Sequence, residues 1–89
     1  MEFEIVITGR GGHGSRPDKG INPVDCFCVL FGALQGIGCQ VQDVDGGNAA
    51  TIIPEKLRFL CTCSDGAALR TLVEHTCAAF GCGAVITEK

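Results

Sequence analysis

The alternation of strand-like and helix-like apolar patterns most constrains how this chain folds. Apolar residues recur at every second position over Glu2–Thr8, which predicts a half-buried strand. After a glycine-rich segment, Asn22-Pro23 supplies a capping residue followed by proline at the first helical position. A helix follows, and its apolar stripe is predicted to consist of Val24, Phe27, Cys28, Phe31 and Leu34.

The rest of the chain repeats this order. Residues 39–45 and 57–63 have strand character, Ser64 or Asp65 opens a second helix, and residues 84–87 form a last strand. The second helical stripe contains Leu69, Leu72, Val73, Thr76 and Phe80. The order predicts an α+β, ferredoxin-like β-α-β-β-α-β fold, with a four-stranded antiparallel sheet and both helices on one face. Such a sheet has open edges, which favour pairing with a second chain.

The composition fits one small domain, residues 1–89, and limits its partners. Hydrophobic residues make up 46% of the chain, too many for a disordered segment. No apolar run reaches the ~20 residues of a membrane span. The net charge of -3 and the lack of Trp and Tyr argue against nucleic acid. The acidic start Met1-Glu2-Phe3-Glu4 is unlike a secretory signal, so we expect a cytoplasmic location and no membrane partner.

Seven cysteines raise the question of disulfides or metal binding. Cys26-Phe27-Cys28 and Cys61-Thr62-Cys63 have one residue between the thiols, whereas zinc knuckles have two. Most of the thiols lie among apolar residues, where cysteine behaves as a small hydrophobe. The sequence favours buried free thiols, and a metal cluster and disulfides remain as alternatives.

The glycine-rich segment Gly9–Pro17 carries the most distinctive chemistry. Its histidine, His13, is able to donate a hydrogen bond, bind metal or carry a proton. Three of its glycines match a phosphate-binding G-x-G-x-x-G pattern, but the next helix begins only after Asn22. A metal site at His13 would need a second ligand nearby, but the other histidine, His75, lies on the second helix. Two interpretations of His13 therefore remain: an exposed hydrogen-bond donor that projects into another site, and an ordinary histidine in a turn.

Four motifs occur along the chain in the order of one enzyme family. They are Gly11-Gly12-His13-Gly14-Ser15-Arg16-Pro17, Asn22-Pro23-Val24, Gly46-Gly47 and Ile52-Ile53-Pro54-Glu55. With them the chain resembles the lid domain of the zinc-type aminoacylase and carboxypeptidase family, whose amidohydrolase branch includes hippurate hydrolase and the auxin-conjugate hydrolases. The resemblance covers essentially the whole chain, and the Gly-Gly-His loop is its most specific part.

The resemblance implies roles for individual residues. Such lid domains are inserted in a catalytic domain that holds two divalent metal ions, expected to be Zn, and they pair with a twin. His13 matches the family histidine that stabilises the carbonyl oxygen under attack, and Gly12, Gly14 and Thr51 are the expected substrate-binding positions. A donor aimed at a developing oxyanion contributes roughly 10²- to 10³-fold in rate. Thr51 replaces the usual Asn and Ser64 the usual Arg, which leaves the substrate open.

We therefore predict that the chain is the lid and dimerisation domain of a larger metal-dependent amidohydrolase or peptidase. The expected substrates are N-acyl amino acids or small peptides, and the expected partners are a second copy and the enzyme's own catalytic domain. The chain has no His-x-Asp or Glu-Glu pair, so we expect neither a metal site nor activity in this domain alone. Alternatives are a stand-alone small-molecule-binding module and a cysteine-rich metal or redox protein.

Overall fold

The computed structural model describes residues 1–9, 12–13, 21–46, 52–53 and 55–89. These ranges contain the following elements: β1 (Glu2–Thr8), β2 (Gly12–His13), α1 (Pro23–Gly36), β3 (Gln40–Asp45), β4 (Ile52–Ile53), β5 (Lys56–Thr62), α2 (Gly66–Ala79) and β6 (Gly83–Glu88).

The main sheet has four strands in the order β3-β5-β1-β6, and each neighbouring pair is antiparallel. β1 lies inside the sheet, so Ile5 is opposite Phe59 of β5 on one side and Ile86 of β6 on the other. The two helices connect β1 to β3 and β5 to β6. This order is that of a ferredoxin-like fold, and it confirms the predicted fold class.

One face of the sheet carries the hydrophobic core. The side chains that alternate toward this face on β1 and β5 are all buried, and both helices contribute buried residues to the same cluster. The main members are Phe3, Ile5, Ile7, Leu30, Leu34, Leu57, Phe59, Leu69 and Val73. On the other face Glu4 and Arg58 form a salt bridge of 2.7 Å, and both remain partly exposed. The helices therefore form a single layer, as predicted.

Both helices begin at the predicted caps. The Asn22 side chain accepts a hydrogen bond of 2.9 Å from the backbone N–H of Val24, and Pro23 takes the first helical position. The Asp65 carboxylate accepts one of 3.1 Å from Ala68, so Asp65 rather than Ser64 caps α2. These bonds satisfy backbone donors that have no partner inside a helix.

The stripe predicted for α1 is confirmed for Leu34, which is buried, and for Val24 and Phe27, which pack against the core, but it is wrong for Cys28 and Phe31. Its buried residues are Pro23, Cys26, Leu30 and Leu34. Phe27 is half-buried, whereas Cys28 and Phe31 are exposed. α1 is apolar over most of its circumference, so spacing alone did not show which side faces the sheet. The α2 prediction fares better, because Leu69 and Val73 are buried and Leu72 and Phe80 pack against the core.

The prediction of buried free thiols holds for three of the seven cysteines. Cys26, Cys61 and Cys77 are buried and free, Cys82 is half-buried, and Cys28 is exposed. The remaining two, Cys39 and Cys63, form a disulfide. They meet because they flank the ladder between β3 and β5, a register that the sequence alone does not reveal. No helix in the described part of the chain is long and apolar enough to cross a membrane.

Candidate functional site

The ladder between β1 and β5 continues beyond the main sheet. Its last regular pair is Thr8 with Lys56. The backbone N–H of Gly9 then donates a hydrogen bond of 2.8 Å to the carbonyl oxygen of Glu55. The two chain segments therefore leave the sheet side by side, and the glycine-rich segment starts from a fixed position.

His13 lies on a small two-stranded sheet formed by these segments. β2 and β4 pair antiparallel, with Gly12 opposite Ile53 and His13 opposite Ile52. On one segment two residues lie between Gly9 and Gly12, whereas on the other only one lies between Ile53 and Glu55. The β2–β4 pairing is therefore shifted by one residue relative to the β1–β5 ladder. We call the β2–β4 pair the histidine arm. Pairing with β4 holds the backbone of His13 at a defined place outside the four-stranded sheet.

The two ends of the segment between β1 and α1, which contains His13, meet at Gly9. A Cβ atom built on Gly9 would overlap the carbonyl oxygen of Ile21 and lie 2.8 Å from Cδ of Pro23. Only glycine permits this approach, because any other residue carries the Cβ. The chain thus leaves β1 and returns to α1 at nearly the same point, so the intervening residues begin and end at one end of the sheet.

The structure places only some of the predicted site residues. Gly12 and His13 stand on the histidine arm. Gly14 and Thr51 lie outside the described residues, although Thr51 directly precedes Ile52, the partner of His13. Ser64 is exposed and follows β5 at the far end from Lys56, and β5 alone is roughly 20 Å long at about 3.3 Å per strand residue. One copy of the chain therefore does not bring Ser64 to His13.

The other histidine lines a separate open groove. His75 is exposed on α2 and shares this groove of about 460 Å³ with Ile37, Leu72 and neighbouring residues of α2. Among the described residues that line the groove, the one carboxylate is that of Asp65, and it already caps α2. The other polar side chains that line the groove, Thr71 and His75, are both exposed.

A second group of reactive side chains is buried at the opposite end of the sheet from the histidine arm. The Sγ atoms of Cys39, Cys61 and Cys63 all lie within 4.8 Å of one another. Burial raises the pKa of the Cys61 thiol, so this group stays neutral at ordinary pH. The Cys-x-Cys spacing indicated that Cys61 and Cys63 share a face, but only the strand register brings in Cys39.

Exposed apolar side chains lie where α1 runs beside the edge strand β3. The Phe27 ring packs at a tilted angle against the Phe59 ring of β5, with centroids 5.0 Å apart, and its centroid lies 5.8 Å from that of Phe31, so this side of α1 faces β5 and β3. Cys26, on the other flank of α1, contacts Cys77 of α2 at 3.7 Å. Phe31 is left 37% exposed.

β3 adds an exposed valine at this edge of the sheet. Val44 lies between Gln42 and Asp45, where the pairing of β3 with β5 shifts register. Val44 is 48% exposed. We call Phe27, Phe31 and Val44 the α1–β3 patch.

A ferredoxin-like sheet with one helical layer and exposed apolar side chains beside an edge strand is an architecture suited to association with another surface. The comparison with family models agrees with this class. Residues 1–78 match the model described as the peptidase dimerisation domain of the M20 family, and the chain belongs to that family.

Two curated relatives extend the comparison. The chain is 35% identical to IAA-amino acid hydrolase ILR1-like 2 of Arabidopsis thaliana over 62% of its length, and 40% identical to the hippurate hydrolase of Campylobacter jejuni over 56%. These matches cover 15% and 12% of the two relatives, so the chain spans only a small part of their length.

Solved structures confirm the fold. The Bacillus subtilis YXEP protein, described as a dinuclear metal binding peptidase from the M20 family, superposes with a TM-score of 0.69 at 22% identity, covering 97% of this chain and 24% of that one. A hydantoinase/carbamoylase family amidase from Burkholderia vietnamiensis gives 0.77 at 17% identity, covering 98% and 26%.

Proposed function

We propose that this domain serves as the dimerisation and lid domain of a metal-dependent amidohydrolase, and that His13 stabilises the oxyanion formed during amide hydrolysis. The observation that carries the proposal is the histidine arm, which holds His13 outside the main sheet by backbone pairing with Ile52. Membership of the dimerisation family supports the association role.

The chemistry of an imidazole suits this role. A ring N–H that donates to the carbonyl oxygen binds it more strongly as negative charge develops there, which lowers the barrier rather than only the substrate affinity. Gly12, and Gly14 in the adjoining segment, add no side chains that would compete for the same space. Thr51, next to Ile52 in the chain, supplies a hydroxyl for a second substrate contact.

The names of two relatives support a proposal for the substrate class. One curated relative is named as a hydrolase of IAA-amino acids and the other as a hippurate hydrolase, and both names describe an acyl group joined to an amino acid by an amide. We assign this domain to an enzyme that hydrolyses N-acyl amino acids or small peptides. In that enzyme two divalent ions, proposed as Zn, would supply the activated water from the catalytic domain.

The α1–β3 patch is the proposed surface for a second copy. Burial of exposed apolar groups such as Phe31 and Val44 lowers the free energy of association, and β3 is an edge strand of the four-stranded sheet, open to pairing with another chain. We also propose a cytoplasmic location, which suits a chain with five free thiols.

The two histidines of the chain provide a matched test of the catalytic role. In the full-length enzyme that contains this domain, His13→Ala should lower kcat by roughly 10²- to 10³-fold while KM changes little. His75→Ala removes an exposed imidazole from α2 and should leave both constants unchanged. His13→Gln, which keeps an N–H donor, should recover part of the loss.

Steady-state kinetics on an N-acyl amino acid, with thermal unfolding as the check on folding, distinguish the outcomes. Equal kcat for His13→Ala and His75→Ala would refute the oxyanion role. A rise in KM alone would assign His13 to ordinary substrate binding, since ground-state and transition-state binding would then be lost together.

A further inference from the structure

The buried sulfur cluster lies outside the proposed catalytic function. Cys39 and Cys63 face each other directly beyond the Gln40–Thr62 pair of the β3–β5 ladder, with Cα atoms 4.6 Å apart. This separation is that of a non-hydrogen-bonded pair in an antiparallel sheet, and it lies within the range that a disulfide spans. The backbone therefore holds the two sulfur atoms together whether or not they are bonded.

The neighbourhood of the pair favours a neutral disulfide over a metal site. Cys39 is 6% exposed and Cys63 is 3% exposed, and the cluster is surrounded by apolar core residues. One ion held by three thiolates would leave net negative charge in this setting, which is unfavourable without compensating groups. Among the described residues no buried polar or charged side chain offers such compensation.

Cys61 does not compete for either partner. Its Sγ lies 3.8 Å from that of Cys63 on the same strand. In the ladder Cys61 is opposite Val41, whereas Cys63 is opposite Cys39, so the strand register places no second cysteine directly across from Cys61. Cys61 therefore remains a thiol beside the pair.

We propose that Cys39 and Cys63 are a reversible redox site, which a low-molecular-weight disulfide oxidises and which fastens the edge strand β3 to β5 in the oxidised state. One thiolate attacks the disulfide reagent, which forms a mixed disulfide and releases one thiol. The second cysteine then attacks the mixed disulfide, forms the Cys39–Cys63 bond and releases the second thiol. Two protein thiols are oxidised and one reagent disulfide is reduced.

The structural consequence falls on β3. Its residues are mostly exposed, and its pairing with β5 shifts register between Gln42 and Asp45, where Asp43 has a φ of 55°. Few regular backbone bonds therefore hold this strand. Cys39 also donates a backbone hydrogen bond of 3.0 Å to Leu34 of α1, so the disulfide anchors the end of α1 and the start of β3 together.

The test equilibrates the purified full chain in buffers of different ratios of reduced to oxidised glutathione, followed by alkylation and peptide mass mapping. We expect seven alkylated cysteines in the reduced chain and five in the oxidised chain, with Cys39 and Cys63 joined, and full reversal when the ratio is reversed. The oxidised chain should melt roughly 10 °C or more above the reduced chain.

Two variants separate the cross-link from packing. Cys63→Ala should abolish the difference in melting temperature between the two buffers. Cys77→Ala removes a thiol of similar burial, 1% exposed against 3%, and should keep the difference. Should Cys63→Ala not fold, the alkylation pattern of the unaltered chain still decides.

The proposal is overturned if Cys39 and Cys63 stay unlinked at every ratio or if the bond does not reverse. It is also overturned if the reduced chain binds Zn stoichiometrically and Cys61→Ala abolishes that binding. None of these outcomes depends on dimerisation or on His13, so this site and the proposed catalytic function fail separately.

Discussion

At the scale of single residues, three free cysteines act as small apolar side chains of the core. Cys26, Cys61 and Cys77 are at most 1% exposed, and the Sγ atoms of Cys26 and Cys77 lie 3.7 Å apart. Burial raises the pKa of all three thiols. For Cys26, burial followed by the charge of Cys77 raises the pKa to about 12. The folded chain therefore holds protons that an unfolded chain releases in alkali.

This difference predicts how stability depends on pH. Above the ordinary thiol pKa of 9.0, the unfolded state loses protons that the folded state retains, so the free energy of unfolding should fall as pH rises. Below that pH both states are protonated and the contribution of the thiols is complete. Urea unfolding under reducing conditions, at neutral pH and at about pH 10, measures the effect.

Two variants assign the pH effect to the buried thiols. Cys26→Ala should reduce the loss of stability between the two pH values, because one buried thiol no longer titrates. Cys28→Ser replaces an exposed thiol and should leave that loss unchanged. An unchanged loss in Cys26→Ala would show that other groups cause the alkaline destabilisation.

At the scale of elements, the junction between β1 and α1 depends on Gly9, whereas a glycine within α1 is free of contacts. A Cβ on Gly9 would overlap the Ile21 backbone, but a Cβ on Gly32 would meet nothing within 4 Å. Gly9→Ala should therefore lower the free energy of unfolding by about 1–3 kcal/mol, the usual range for inserting an atom into a packed site. Gly32→Ala should raise it by about 0.5–1 kcal/mol because Ala favours the helix.

Chemical denaturation of the two variants provides the comparison. Since both changes are Gly to Ala, opposite signs would isolate the close approach at Gly9 from the general effect on the unfolded chain. Equal stabilisation by both substitutions would mean that the backbone at Gly9 has room to adjust and that the two ends of the segment between β1 and α1 are not fixed there.

The long elements were predictable and the short ones were not. Alternation over Glu2–Thr8 and the capping residues Asn22 and Asp65 carry local signals, and the structure confirms them. The β2–β4 pair has two residues in each strand, too few to show any periodicity. The Cys39–Cys63 contact likewise depends on the register between β3 and β5, which no local pattern encodes.

At the scale of the whole molecule, strand order decides which surfaces remain open. The order β3-β5-β1-β6 leaves β3 and β6 at the edges, and α1 covers the side of the sheet next to β3. Sequence motifs indicated the family, and with it a domain that associates with a second copy. They did not show that the α1–β3 patch lies at the β3 edge, because that depends on the orientation of α1, which the Phe27–Phe59 contact reveals. The two edges also differ, because the β6 ladder is regular and the β3 ladder is interrupted.

The α1–β3 patch predicts which edge meets a second copy. Val44→Lys places a charge among apolar groups that would leave water in a dimer, so the dimer dissociation constant should rise about tenfold or more. Phe31→Ala should likewise raise the dimer dissociation constant.

Val85→Lys on β6 is the matched control. Val85 is 59% exposed at the opposite edge, so this change should leave the dimer intact. Light scattering over a concentration series measures each constant, and a dimer sensitive to Val85→Lys but not to Val44→Lys would place the interface at β6 instead.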